Sequence, residues 1–109
     1  MYTPEQIERI RAIGNEWHKG NYHRVYFNNL SELYGIKTNR YNSGNISSAT
    51  LDGEKISNSA AKRILGRLAC VKIWFDLTDN EFHCKDRYGE LHDGDFEKII
   101  HEIEERINV

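Results

Sequence analysis

Apolar residues recur at helical spacing in three stretches of this chain and alternate with polar ones in several others. Thr3-Pro4-Glu5-Gln6 opens the first helix: Thr3 can cap it, Pro4 suits the first turn, and Gln6 completes a capping box. Ile7, Ile10 and Ile13 then form a narrow stripe, Gly14 can end the helix, and Trp17 is expected to close over that end. His23 to Phe27 reads as a strand, with Val25 and Phe27 on one face and Arg24 and Tyr26 on the other. Asn29-Leu30-Ser31-Glu32 resembles a second capping box, opening a short helix that Gly35 stops.

Ile36 to Tyr41 is extended, Asn42-Ser43-Gly44-Asn45 is rich in turn formers, and Ile46 to Leu51 is a strand. Asp52-Gly53 is a strong hairpin signal, and Glu54 to Ile56 returns from it. Ser57 caps a helix reaching about Cys70, with Ala60, Ala61, Ile64, Leu65 and Leu68 turned inward. Val71, Ile73, Phe75 and Leu77 share one face of a strand, Trp74 takes the other, and Phe82 to Lys85 pairs back after a turn. Phe96, Ile99, Ile100, Ile103 and Ile107 mark a last helix capped by Asp93 or Asp95. Hairpins and long helices, without repeating βαβ units, predict an α+β fold. We expect an antiparallel sheet of about four to five strands with three main helices packed on it.

The length of 109 residues fits one domain, 1–109, since two cores would both be too small. Twelve aromatic residues supply bulky core pieces, which argues against disorder. The longest apolar run, Leu68-Ala69-Cys70-Val71, is far below the ~20 residues of a membrane span. Charged residues near the start leave no signal-peptide core. The expected setting is therefore a reducing cytoplasm, with Cys70 and Cys84 as free thiols.

Charge is uneven along the chain. Residues 18–73 hold nine Lys/Arg against three Asp/Glu, whereas residues 74–109 hold four against eleven. The asymmetry fits a two-faced surface or two halves that attract each other across the fold.

The basic stretch contains the strongest candidate site. Arg40, Tyr41, Asn42, Ser43 and Asn45 offer consecutive hydrogen-bonding side chains, and Gly44 lets backbone approach a ligand. Arg24 and Tyr26 would add a charged fork and a stacking ring. Ser57 and Asn58 begin a helix whose N-terminus favours negative charge, with Lys62 and Arg63 one turn later. Together they suggest a nucleotide or phosphodiester pocket; an ordinary surface turn followed by a helix cap is the competing interpretation.

Other chemistry has less support. His83, Cys84, His92 and His101 lack recognised zinc spacing, so no metal is expected, and no cofactor motif occurs. Cys70 ends a helix, where the dipole disfavours a thiolate, and Cys84 and His83 point to opposite strand faces. Glu102, Glu104 and Glu105 fall on the solvated side of the last helix, as does His101. The chain therefore reads as a non-enzyme. Ser57-Asn58-Ser59-Ala60-Ala61-Lys62-Arg63 loosely resembles the helix start of a double-stranded-RNA-binding domain, but the lysine cluster of that family is replaced by Ser57, Asn58 and Ser59.

Arg24-Val25-Tyr26-Phe27-Asn28, Arg40 to Asn45, Gly53 to Asn58 and Lys72 to Asp76 resemble small uncharacterised proteins carried by phages and mobile elements of bacteria. The likeness spans roughly residues 17 to 77. It implies a binding protein that inhibits a bacterial defence system, by sequestering a nucleotide signal or by blocking an effector protein in the manner of anti-CRISPR proteins. A DNA mimic would need a surface far more acidic than a net charge of −2 provides. The alternative is an RNA- or DNA-binding accessory protein using the same basic segment. The expected partners are thus an anionic small molecule or a host defence protein, with nucleic acid as the rival and homo-oligomerisation left open.

Overall fold

The computed structural model describes residues 1–15, 22–86 and 94–108. The segments holding Trp17, His92 and Asp93 lie outside them. Along the chain run α1 (Pro4–Ile13), β1 (Arg24–Phe27), α2 (Leu30–Tyr34), β2 (Ile36–Arg40), β3 (Ile46–Leu51) and β4 (Glu54–Ile56). They are followed by α3 (Asn58–Ala69), β5 (Val71–Asp76), β6 (Glu81–Asp86) and α4 (Asp95–Ile107).

The α+β class agrees with the sequence reading, but the expected single sheet is two. Strands β1, β5 and β6 form one three-stranded antiparallel sheet in the order β1-β5-β6, and β2-β3-β4 form another. Among the described residues four helices accompany them, the short α2 being the addition to the three main ones. The physical reason lies in α2 and the residue that follows it. Gly35 adopts φ +94°, a left-handed conformation that side chains rarely take, and a β-carbon there would also have to displace the Asp52 carboxylate, so glycine is strongly favoured at this turn. The chain leaves it as β2, starting a local meander with β3 and β4, while β1 pairs instead with the distant β5.

Alternation sets the faces of the first sheet. Val25 lies opposite Phe75 and Phe75 opposite Phe82, and these side chains turn into the core. Tyr2 meets Phe75 and Phe82 edge-on, at centroid distances of 5.6 and 5.8 Å. On the other face, Tyr26 lies opposite Trp74 and Trp74 opposite His83.

One hydrophobic cluster draws on all four helices and both sheets, including Ile10, Leu33, Ala49, Ala61, Ile73 and Ile103. Helix α3 packs over β3, whereas α4 packs on α1 and α2. Ile99, Ile103 and Ile107 are fully buried, so the last helix presents the stripe that its periodicity predicts.

Two caps form as expected and two do not. Thr3 and Gln6 make the reciprocal capping box, and the Ser57 hydroxyl accepts from the Ala60 amide at 3.1 Å. Asn29 makes no side-chain cap bond. Helix α4 is entered through Gly94, and Asp95 turns its carboxylate to accept from the Tyr34 hydroxyl at 3.0 Å rather than capping. This bond ties α2 to α4. Lys98 reinforces it, with its ammonium 2.8 Å from Asp52 and 4.3 Å from the centre of the Tyr34 ring. Among the described residues, no helix is long and apolar enough to cross a membrane.

Candidate functional site

Part of the sequence-proposed site converges on one groove. The Tyr41 amide donates to the Asn45 carbonyl and the Gly44 amide to the Tyr41 carbonyl, both at 2.9 Å, closing the turn between β2 and β3. Gly44 takes φ +90° there. A register shift between Asn39 and Arg40 leaves Arg40 opposite Ile46 at the end of the sheet. Arg40, Asn45, Ile46, Asn58, Ser59 and Lys62 are among the side chains around an open groove of about 540 Å³ between this turn and the start of α3. Its size suits a small-molecule ligand of nucleotide dimensions.

Hydrogen bonds orient the polar groups without exhausting them. The Arg40 Nη1 donates to the Gly44 carbonyl at 2.7 Å, which leaves four of five guanidinium N–H groups for other partners. The Asn58 Nδ2 donates to the Ile46 carbonyl at 3.1 Å, leaving a second N–H and an acceptor oxygen. Ser57 occupies the Ala60 amide, whereas the amides of Asn58 and Ser59 stand in the first turn, where no intrahelical acceptor exists. Among the described residues, no acidic side chain lines the groove, and neither Arg40 nor Lys62 makes an ion pair.

The remaining proposed residues lie elsewhere. Tyr41, Asn42 and Ser43 are exposed on the turn, and the Asn45 amide reaches the Ser43 hydroxyl only at 3.5 Å. Ser57 serves as the cap. Arg24 and Tyr26 belong to the other sheet, where the Arg24 guanidinium lies 4.5 Å from the Trp74 ring centre and donates to the Tyr26 hydroxyl at 3.1 Å. The Nε of Arg24 and the Nε1 of Trp74 are both buried without a hydrogen-bond partner. Tyr26 also lines a separate cleft of about 480 Å³ with Asn28, Ser31, Leu65 and Lys72. Leu65 borders both hollows, and of these two only the groove combines two cations.

Cross-fold ion pairs follow an unexpected sense. Lys98 and Arg106, from the acidic third, bind Asp52 and Glu32 of the basic stretch. Among the described residues, the two cations lining the groove face no carboxylate at ion-pair distance.

The two half-buried cysteines are free thiols. Burial first, and the Asp86 carboxylate second, push the Cys84 thiol up. Its side chain packs against the core while His83 stacks on Trp74, their centroids 5.7 Å apart.

One cluster escaped sequence reasoning. Single ligand atoms of Asp76, Asp79 and His83 lie within 4.8 Å of one another at the β5–β6 turn. The Thr78 hydroxyl, above all, holds the Asp76 carboxyl low, helped by the Thr78 amide, His23 and His83 and opposed by burial. The spacing Asp-x-x-Asp-x-x-x-His is its signal, and a search confined to His and Cys pairs misses it.

No family model, curated protein or solved structure matches the chain.

Proposed function

We propose that this protein is a non-catalytic binder of a phosphate-bearing small molecule, held between the β2–β3 turn and the first turns of α3. One observation carries the reading. Arg40 from a strand end and Lys62 from a helix border the same groove, with glycine backbone and open helix amides beside them. The raised thiol of Cys84 also favours binding over nucleophilic chemistry. In the phage-type setting that the sequence pattern suggests, such binding takes the form of sequestering a nucleotide signal of a bacterial defence system. Blocking an effector protein is the other form of the same activity.

A bound ligand stabilises the fold by mass action, about 2.7 kcal/mol at a hundredfold excess over Kd. The test is a melting series with cyclic dinucleotides, cyclic trinucleotides and ADP-ribose derivatives, run on the wild type and on Arg40→Ala. A shift of several degrees that the variant lacks is the expected outcome. A panel without any shift removes the sequestration reading.

Nucleic-acid binding is the second reading, and one observation favours it. Lys37 and Lys55 flank Thr50 on a single rung of the second sheet, and both lysines are exposed. It requires affinity that falls steeply with salt, because phosphate contacts release counterions. Filter binding that stays flat from low to moderate salt excludes it.

A further inference from the structure

Four potential metal ligands gather at one end of the first sheet. Asp76 ends β5, Asp79 sits in the turn, His83 lies on β6, and His23 immediately precedes β1. The His83 Nε2 is 2.7 Å from the Asp79 Oδ2, and the His23 Nε2 is 3.8 Å from the Asp76 Oδ2. We propose that Asp76, Asp79 and His83, with His23 as a fourth ligand, bind a first-row divalent transition metal such as zinc.

Two imidazoles and two carboxylates suit zinc, whose ligands stand at about 2.0–2.2 Å. Tetrahedral donors at that range are roughly 3.4 Å apart. The Asp76, Asp79 and His83 ligand atoms lie within 4.8 Å of one another, so the widest separation closes by at most about 1.4 Å while the 2.7 Å contact between His83 and Asp79 opens by about 0.7 Å. Asp79, the exposed member in the turn, can supply most of this by a small rotation of its side chain.

Each carboxylate is already held from behind. Thr78 donates from its amide at 2.9 Å and from its hydroxyl at 2.5 Å to the Asp76 Oδ1, leaving Oδ2 facing His23. The Glu81 amide donates to the Asp79 Oδ1 at 3.0 Å, leaving Oδ2 facing His83. Trp74, stacked within 17° of parallel, fixes the plane of the His83 ring. Such outer contacts are what orient ligands in metal sites. A metal here fastens the chain entering β1 to the β5–β6 hairpin, a position already joined by the Leu77 amide donating to the His23 carbonyl at 2.7 Å.

Titration calorimetry with zinc chloride near neutral pH tests this on the full chain. The wild type is expected to bind zinc, Asp79→Asn and His83→Ala to weaken it by at least about tenfold, and His101→Ala to leave it unchanged. The amide oxygen introduced by Asp79→Asn can still accept from the Glu81 amide, so that variant keeps the turn even if His83→Ala unfolds. No zinc uptake by the wild type overturns the proposal. So does wild-type affinity in Asp79→Asn or in a folded His83→Ala, because zinc then sits elsewhere.

Discussion

Removing one oxygen atom, by Tyr34→Phe, tests how the groove-bearing sheet is fastened to the rest of the fold. Tyr34 is 8% exposed and ends the helix from which β2 departs. Its hydroxyl donates at 3.0 Å to Asp95, which is only 9% exposed. The substitution keeps the ring, its packing and the Lys98 contact, and deletes only this bond. A hydrogen bond to a charged group contributes about 1.5–3 kcal/mol net. Asp95 has further partners, so the expected loss is at the low end, about 1.5–2 kcal/mol. At this chain length that corresponds to a fall in Tm of roughly 6–9 °C.

The bond also has a pH signature. Burial first, and the hydrogen bond to Asp95 second, push the Tyr34 hydroxyl above its ordinary value. The folded state therefore holds this proton more tightly than the unfolded state, whose phenol titrates near 10. Its contribution is complete below about pH 10 and declines as pH rises toward the folded value. Urea titration followed by tryptophan fluorescence reads both effects. The gap between wild type and variant should narrow above about pH 10, with the m-value unchanged below it. A loss under about 0.5 kcal/mol, or a gap that stays constant into alkali, refutes the reasoning.

Three further outcomes follow from particular contacts. Gly35→Ala combines a positive φ with a β-carbon that collides with the Asp52 carboxylate, and should lower stability by about 1–3 kcal/mol in a urea titration. Tyr2, pushed up to about 12 by burial and by Glu104, adds to the alkaline decline above about pH 10, so Tyr2→Phe should flatten the wild-type pH–stability curve there. Lys62→Glu alters an exposed side chain, so its stability should stay within about 0.5 kcal/mol of wild type while the ligand-induced melting shift disappears.

Local signals were largely legible and long-range ones were not. The Thr3–Gln6 box, the Asp52-Gly53 turn and the Ser57 cap each depend on a few neighbouring residues, and each forms. Alternation in Val25, Phe27, Ile73 and Phe75 told which side chains turn inward. It carries no information on which strand pairs with which, so the division into two sheets was hidden. That division also decides the site. Arg40, Asn45 and Asn58 meet because a hairpin and the following helix bring sequence neighbours together, whereas Arg24 and Tyr26 travel with β1 to the other sheet. Asp95 departs from its expected capping role because a tyrosine far along the chain offers it a better-placed donor. The Asp76, Asp79 and His83 cluster depends on a turn folding its arms together, which spacing rules for histidine and cysteine do not describe.

The groove itself is tested most directly by following backbone amide resonances during titration with a cyclic dinucleotide, with inorganic pyrophosphate in parallel. Shifts concentrated at Gly44, Asn45, Asn58, Ser59 and Lys62, with Trp74 and His83 unmoved, are the predicted result. Saturating additions that move none of those five amides, or that move only the sheet bearing Arg24 and Trp74, would contradict it.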